Sequence, residues 1–229
     1  MILSIVCVGG NYVNEPIKIV PQLKRFNNQL WDIKILTDNP SAFSFGELYE
    51  YQNKIFSYFD KILFPLRLME KFKSDIVYSD HDWLTYLTND FINNFDGNPN
   101  PLYSECWKYW NGNAWDKWEY LTDYKIDNYF NPLIQYWENQ NYDYSKFKTI
   151  RESFLYLPYT DKVSEILFEI EKIKPIFEYM SIVGNSNYSA YGSSEGIALS
   201  YVLEKFNLKL ELLSTDYYNY SYPTPPIIT

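Results

Sequence analysis

The sequence predicts a single α/β domain built on a mostly parallel sheet flanked by helices. Three observations predict it. An apolar strand, an amphipathic helix and a second apolar strand follow one another between Ile2 and Thr37. A further helix then leads into a short apolar strand that ends in Asp80-His81-Asp82. The chain has 229 residues, 46% of them hydrophobic, enough for one sizeable core and too apolar for disorder. A β-α-β opening favours a parallel sheet, because the crossover helix has to cover the sheet it connects.

In chain order, Ile2 to Val8 is an apolar run interrupted only by Ser4, and reads as a buried strand ending at Gly9-Gly10. From Pro16 to Gln29, the residues Ile17, Val20, Leu23 and Phe26 recur at every third position. That is helical spacing, with Pro16 suited to the first turn. Asp32 to Thr37 is the second strand, and Asp38-Asn39-Pro40 after it is a turn signal. Lys61 to Phe72 is helical through Leu63, Leu66, Met69 and Phe72, and Asp75 to Ser79 is a short buried strand.

Residues 97–150 are rich in Asn, Trp and Tyr and weak in periodicity. They are expected to form an aromatic-rich insertion covering one side of the sheet. Phe154 to Pro158 reads as a strand, and Val163 to Met180 as a helix that Pro175 breaks or kinks. A small-residue loop, Gly184 to Ser194, precedes a helix over Glu195 to Phe206 and a strand over Leu208 to Leu213. The tail from Ser214 is expected to be irregular.

Lys plus Arg total 20 and Asp plus Glu total 29, a net charge of −9. So acidic a chain is poorly suited to a nucleic-acid backbone, which calls for a basic surface. A phosphorylated ligand would need its charge met locally, and a divalent cation on carboxylates does that. Neither Cys7 nor Cys106 implies a disulfide framework, and Cys7 lies in the apolar run as a small buried residue. The N-terminus lacks a basic leader and no apolar run reaches the roughly 18 residues of a membrane span. A cytoplasmic setting with no membrane span is therefore expected. Aromatic residues make up 20%. AT-rich codon usage and a need for flat faces against sugar rings or bases both remain open as causes.

The chemistry centres on Asp80 and Asp82. In an extended segment, residues i and i+2 share a face, which would direct both carboxylates to one site and turn His81 away. Two hard oxygen donors suit Mn²⁺ or Mg²⁺. The position at the carboxyl end of a strand is where open α/β sheets bind ligands. Other classes lack their parts. One His among 229 residues leaves no Ser-His-Asp or Cys-His set away from the triplet. No Cys/His zinc cluster, phosphate-binding Gly-x-x-x-x-Gly-Lys loop or Gly-x-Gly-x-x-Gly motif is present.

The stretch Arg67-Leu68-Met69-Glu70-Lys71-Phe72-Lys73-Ser74-Asp75-Ile76-Val77-Tyr78-Ser79-Asp80-His81-Asp82 resembles the helix, strand and Asp-x-Asp of GT-A glycosyltransferases. Gly9-Gly10 after the first strand and Asp38 after the second extend the resemblance. So does Tyr191-Gly192-Ser193-Ser194-Glu195-Gly196-Ile197-Ala198-Leu199-Ser200, an acidic residue opening a small and apolar helix. The aromatic middle has no counterpart. The resemblance implies a GT-A-like, Rossmann-type fold over residues 1–229, with 1–96 as the nucleotide-sugar half and 97–229 as the acceptor half. It implies a metal-assisted transfer of a hexose from a nucleoside diphosphate sugar, by preference a UDP-sugar, to a glycan or other hydroxyl acceptor. A non-catalytic sugar- or nucleotide-binding protein is the alternative. A sugar nucleotidyltransferase fits less well, since Gly9-Gly10-Asn11-Tyr12 lacks the basic residues of an activating loop.

Roles follow from the same resemblance. Asp82 would hold the metal, and Asp80 the metal or the donor ribose. Val8, Gly9 and Tyr12 would line the nucleoside pocket, with Asp38 at the base, His81 beside the donor and Arg67 at its phosphates or sugar. Glu195 would receive the acceptor's proton or bind the acceptor. Each residue has a plainer alternative: a turn at Gly9-Gly10, a turn cap at Asp38, a solvated helix charge at Arg67, a helix cap at Glu195. Many GT-A enzymes add a late His as a metal ligand. Here Asp216 is the available substitute, unless water or a residue of a longer protein fills that position. Trp107, Trp110, Trp115 and Trp118 are candidates to stack an acceptor sugar or to pack the insertion.

Overall fold

The structure is a computed structural model that describes residues 1–9, 12–26, 31–53, 57–87, 97–103, 131–143, 150, 154–183 and 195–212. The strands are β1 (Ile2–Cys7), β2 (Asp32–Thr37), β3 (Glu47–Glu50), β4 (Ile76–Ser79), β5 (Leu102–Tyr103), β6 (Phe154–Leu157) and β7 (Glu211–Leu212). The helices are α1 (Asn14–Phe26), α2 (Asp60–Phe72), α3 (Asn131–Asn139), α4 (Val163–Val183) and α5 (Glu195–Lys205). The strands form one sheet in the order β3-β2-β1-β4-β6-β5-β7. From β3 to β4 the pairing is parallel, β6 runs antiparallel to both β4 and β5, and β7 is parallel to β5. This is the mostly parallel α/β sheet that the sequence predicts.

Alternation along the strands splits the core in two. Leu3, Ile5 and Cys7 of β1 join Ile33, Ile35, Val77, Phe154 and Tyr156 on one face, covered by Val13, Val20 and Leu23 at α1. Ile2, Ile76, Tyr78, Leu155 and Leu157 point to the other face, covered by α2, α4 and α5. Burial on both sides is why β1 and β4 read as near-continuous apolar runs. Among the described residues, no helix is long and apolar enough to cross a membrane.

Three expectations change and one strand is new. Pro175 lies inside α4, which continues to Val183. An internal proline costs about 3 kcal/mol, but Val163, Ile166, Leu167, Ile170 and Ile173 are buried along this helix and hold it. The stretch 97–150 does more than cover the sheet, because β5 lies within it, between β6 and β7, and α3 adds the fully buried Trp137 to the core. The last strand is shorter than expected, Glu211–Leu212. β3 is an edge strand with no apolar run, held by Glu47 against the Lys34 ammonium of β2. Trp107, Trp110, Trp115, Trp118 and Asp216 lie outside the described residues.

Candidate functional site

The carboxyl ends of β1, β2 and β4 are neighbours in the sheet. Three pairs of groups meet there. After β1, Gly9 adopts φ +96°, a backbone that costs L side chains and suits glycine. Its N–H donates to Asp38 Oδ2 after β2 at 3.0 Å, and its carbonyl accepts the Tyr12 N–H at 3.0 Å. One glycine thus ties the two loops and sets the position of Tyr12, which is 49% exposed. The Tyr12 and His81 rings meet edge to face, with centroids 5.1 Å apart, an arrangement the ring quadrupoles favour. His81 therefore faces the loop after β1 and does not turn away from it. Val8, between β1 and Gly9, is half-buried.

The third pair is Asp80 with Lys61. Asp80 is still extended, at φ −62° and ψ 156°, but a 3₁₀ turn runs from His81 to Tyr86. The Trp83 N–H closes it onto the Asp80 carbonyl at 3.0 Å. Trp83, Leu84 and Leu87 explain the turn, since all three are buried on the α1 face of the core. Strand alternation therefore ends at Asp80, and the expectation that Asp80 and Asp82 share a face by extended geometry does not apply. Asp82 falls in the turn, with its side chain outside the described residues.

Asp80 follows the side of Tyr78, toward α2. The Tyr78 hydroxyl donates to Asp80 Oδ1. The Lys61 ammonium lies 3.0 Å from Oδ1 and 3.2 Å from Oδ2. Both side chains of this ion pair are mostly buried, at 19% and 18% exposure. The start of α2 is itself anchored. Buried Asp60 accepts the Tyr51 hydroxyl at 3.0 Å, and that hydroxyl accepts the Ser57 N–H at 3.2 Å.

The resemblance implies a donor contact for Arg67 in this helix, but the basic side chain that reaches the strand end is Lys61. Arg67 instead pairs with Glu171 of α4 at 2.6 Å on an exposed flank. The six residues from Lys61 to Arg67 correspond to about 9 Å of helix rise. The signal for Lys61 was present in the topology. A helix that precedes a parallel strand runs antiparallel to it, so its first residues lie at the strand's carboxyl end. Glu195 opens α5 and is buried, at 2% exposure.

Mn²⁺ or Mg²⁺ is the cofactor the Asp-x-Asp motif implies. Among the described residues, no group of three or more His, Cys, Asp or Glu side chains stands together. Asp80, the described carboxylate of the motif, already meets an ammonium with both oxygens and a hydroxyl with one. A divalent ion on Asp80 would share that carboxylate with the Lys61 ammonium or replace it. As they stand, the described residues offer the ion one carboxylate that already carries a cation, and the Asp82 and Asp216 side chains lie outside them.

The same cluster acts on Cys7. Its thiol is fully buried, and burial first, then the Asp38 and Asp80 charges, push its pKa up to about 12. Iodoacetamide at pH 8 is expected to leave the Cys7 peptide unlabelled in the native protein and to label it in urea, read by peptide mass. Native labelling at the unfolded rate would contradict the burial. The linkage has one sign. The native pKa lies above the unfolded value of about 8.5, so this group's contribution to stability is full below that pH. It declines as pH rises toward 12.

No family model and no curated protein sequence matches the chain. Among solved structures it is similar to the galactosyltransferase LgtC, in complex with donor and acceptor sugar analogs. The likeness covers 99% of this chain and 81% of that one, at 9% identity and a TM-score of 0.44. At that identity and score it assigns neither a family nor an activity.

Proposed function

We propose that this chain is a glycosyltransferase that takes a nucleoside diphosphate sugar, by preference a UDP-sugar, and transfers its hexose to a hydroxyl of a glycan or glycoconjugate. The observation that carries the reading is the meeting of Gly9 with Asp38, Tyr12 with His81, and Lys61 with Asp80 at the carboxyl ends of three neighbouring strands. Open α/β sheets bind ligands at this end. Tyr12 offers an exposed ring to a base. Asp38 keeps lone pairs beyond the one given to Gly9, and accepts N–H groups of the base or hydroxyls of the ribose. Lys61 supplies positive charge beside the diphosphate.

Transfer breaks the bond from the sugar's anomeric carbon to the diphosphate oxygen and forms one to the acceptor oxygen. Glu195 is the proposed residue for the acceptor's proton, and Asp82 a further carboxylate at the donor. Trp107, Trp110, Trp115 and Trp118 are proposed acceptor contacts.

A thermal-shift screen of UDP-, GDP- and TDP-sugars, each with and without Mn²⁺, tests the reading. A ligand at a hundred times its Kd stabilises by about 2.7 kcal/mol, a rise in Tm of roughly 5–11 °C for a chain of this size. Tyr12→Ala is expected to weaken the nucleotide response about tenfold or more, since base–aromatic stacking contributes about 1–3 kcal/mol. Stabilisation by glycans alone, indifferent to nucleotide, would replace the transferase with a non-catalytic sugar-binding protein.

A further inference from the structure

We infer that Lys61 is the resident cation of this site, so that a donor diphosphate binds there without Mn²⁺ or Mg²⁺. The inference rests on the nucleotide-sugar reading and concerns the charge chemistry of that same site. A diphosphate brought to the ends of β1, β2 and β4 meets Asp38, just after β2, and Asp80, just after β4. Those charges need a counter-charge before a polyanion approaches. In an Asp-x-Asp site a divalent ion supplies it. Here an ammonium already stands on the Asp80 carboxylate, touching both oxygens at 3.0 and 3.2 Å.

Lys61 differs from an incidental surface lysine. The pair is mostly buried, so solvent screens it weakly and its charge acts at fuller strength. Its helix start is fixed by buried Asp60, Tyr51 and Ser57. Tyr78 fixes the other partner by donating to Asp80 Oδ1. Pre-positioned at both ends, the ammonium meets a phosphate oxygen at little ordering cost. A divalent ion on Asp80 would sit within a few ångströms of the same ammonium. Like charges that close repel strongly in a partly buried site. The two cations are alternatives, and the chain carries one of them covalently.

Calorimetric titration of UDP into the full chain tests this, in EDTA and in excess Mn²⁺, for the wild type, Lys61→Met and Lys61→Arg. Wild-type affinity in EDTA is expected within about threefold of that in Mn²⁺, a difference below 1 kcal/mol. Lys61→Met is expected to lose about tenfold or more in EDTA, the scale of one charged hydrogen bond. It should recover in Mn²⁺, because Asp80 is then released to a metal. Lys61→Arg, which keeps the charge, should retain most of the affinity.

Wild-type binding that collapses in EDTA overturns the inference and leaves the nucleotide-sugar reading intact. So does a Lys61→Met protein that binds UDP in EDTA like the wild type. Should Lys61→Met fail to fold by circular dichroism, Lys61→Gln decides. It keeps a polar partner for Asp80 without the charge, so affinity in EDTA should fall about tenfold or more, whereas affinity equal to the wild type overturns the inference. Absence of binding by UDP, GDP and TDP in every condition removes the nucleotide-sugar reading, and this inference with it.

Discussion

Trp137→Ala is expected to destabilise the protein by about 3–5 kcal/mol, the range for emptying a large aromatic site in a packed core. Trp137 is fully buried in α3. Its ring lies 5.6 Å from Tyr142 and 5.7 Å from Tyr201 of α5, with Tyr142 and Tyr201 themselves edge to face at 4.9 Å. Its carbonyl also accepts the Tyr142 N–H at 2.9 Å, closing the end of α3. The cavity cannot collapse easily, because its walls belong to α5 and to the segment after α3, both packed into the same core. Tyr136 on the same helix donates to buried Glu169 at 2.6 Å, and Glu169 pairs with Lys205 at 2.7 Å. The midpoint of thermal unfolding should fall by roughly 6–20 °C at the scaling for chains of this length. Urea denaturation measures the free energy directly. A loss below about 1 kcal/mol would mean that α3 is not part of the cooperative core.

Trp137 also shows what the sequence conveyed and where it fell short. Elements buried on one or two faces announced themselves. The apolar runs of β1, β2, β4 and β6 and the periodicity of α1, α2, α4 and α5 could be read directly, with ends shifted by a residue or a few. β3 could not, because Glu47 and Glu50 are its two ends and its pairing rests on the sheet edge and on Lys34. β5 spans two residues, Leu102–Tyr103, too short for any period. In α3 five of nine residues are aromatic or amide, so the apolar stripe does not stand out from its surroundings.

At the site, the strand-end position of Asp80 was legible from Ile76-Val77-Tyr78 before it. The turn after it was not. Trp83, Leu84 and Leu87 carry helical information, but the choice between continuing the strand and folding back depends on the α1 face they bury against. Lys61 was hidden for a related reason. Nineteen residues separate it from Asp80, and only the antiparallel course of α2 against β4 brings them together.

Gly9→Val is expected to damage both stability and nucleotide binding, and the cause is conformation rather than space. A Cβ at position 9 would find Tyr12 Cδ2 at 3.5 Å, ordinary van der Waals contact. The φ of +96° is the obstacle. A β-branched residue held there costs on the order of 1–3 kcal/mol, or a Tm loss of roughly 2–12 °C. The chain can relieve that strain by rotating φ to negative values, but the rotation swings the N–H away from Asp38 and disturbs the turn that positions Tyr12. That rotation separates the loops after β1 and β2. On the nucleotide-sugar reading, base and diphosphate contacts then no longer converge, and the UDP-dependent thermal shift should disappear. Asp38→Asn separates the two contributions of that link. The amide oxygen still accepts the Gly9 N–H, so the loop conformation and the melting temperature should hold while the charge is lost. If Gly9→Val melts like the wild type and still responds to UDP, the positive-φ turn does not organise the site. The link between Gly9 and Asp38 would then be a feature of two loops that happen to meet.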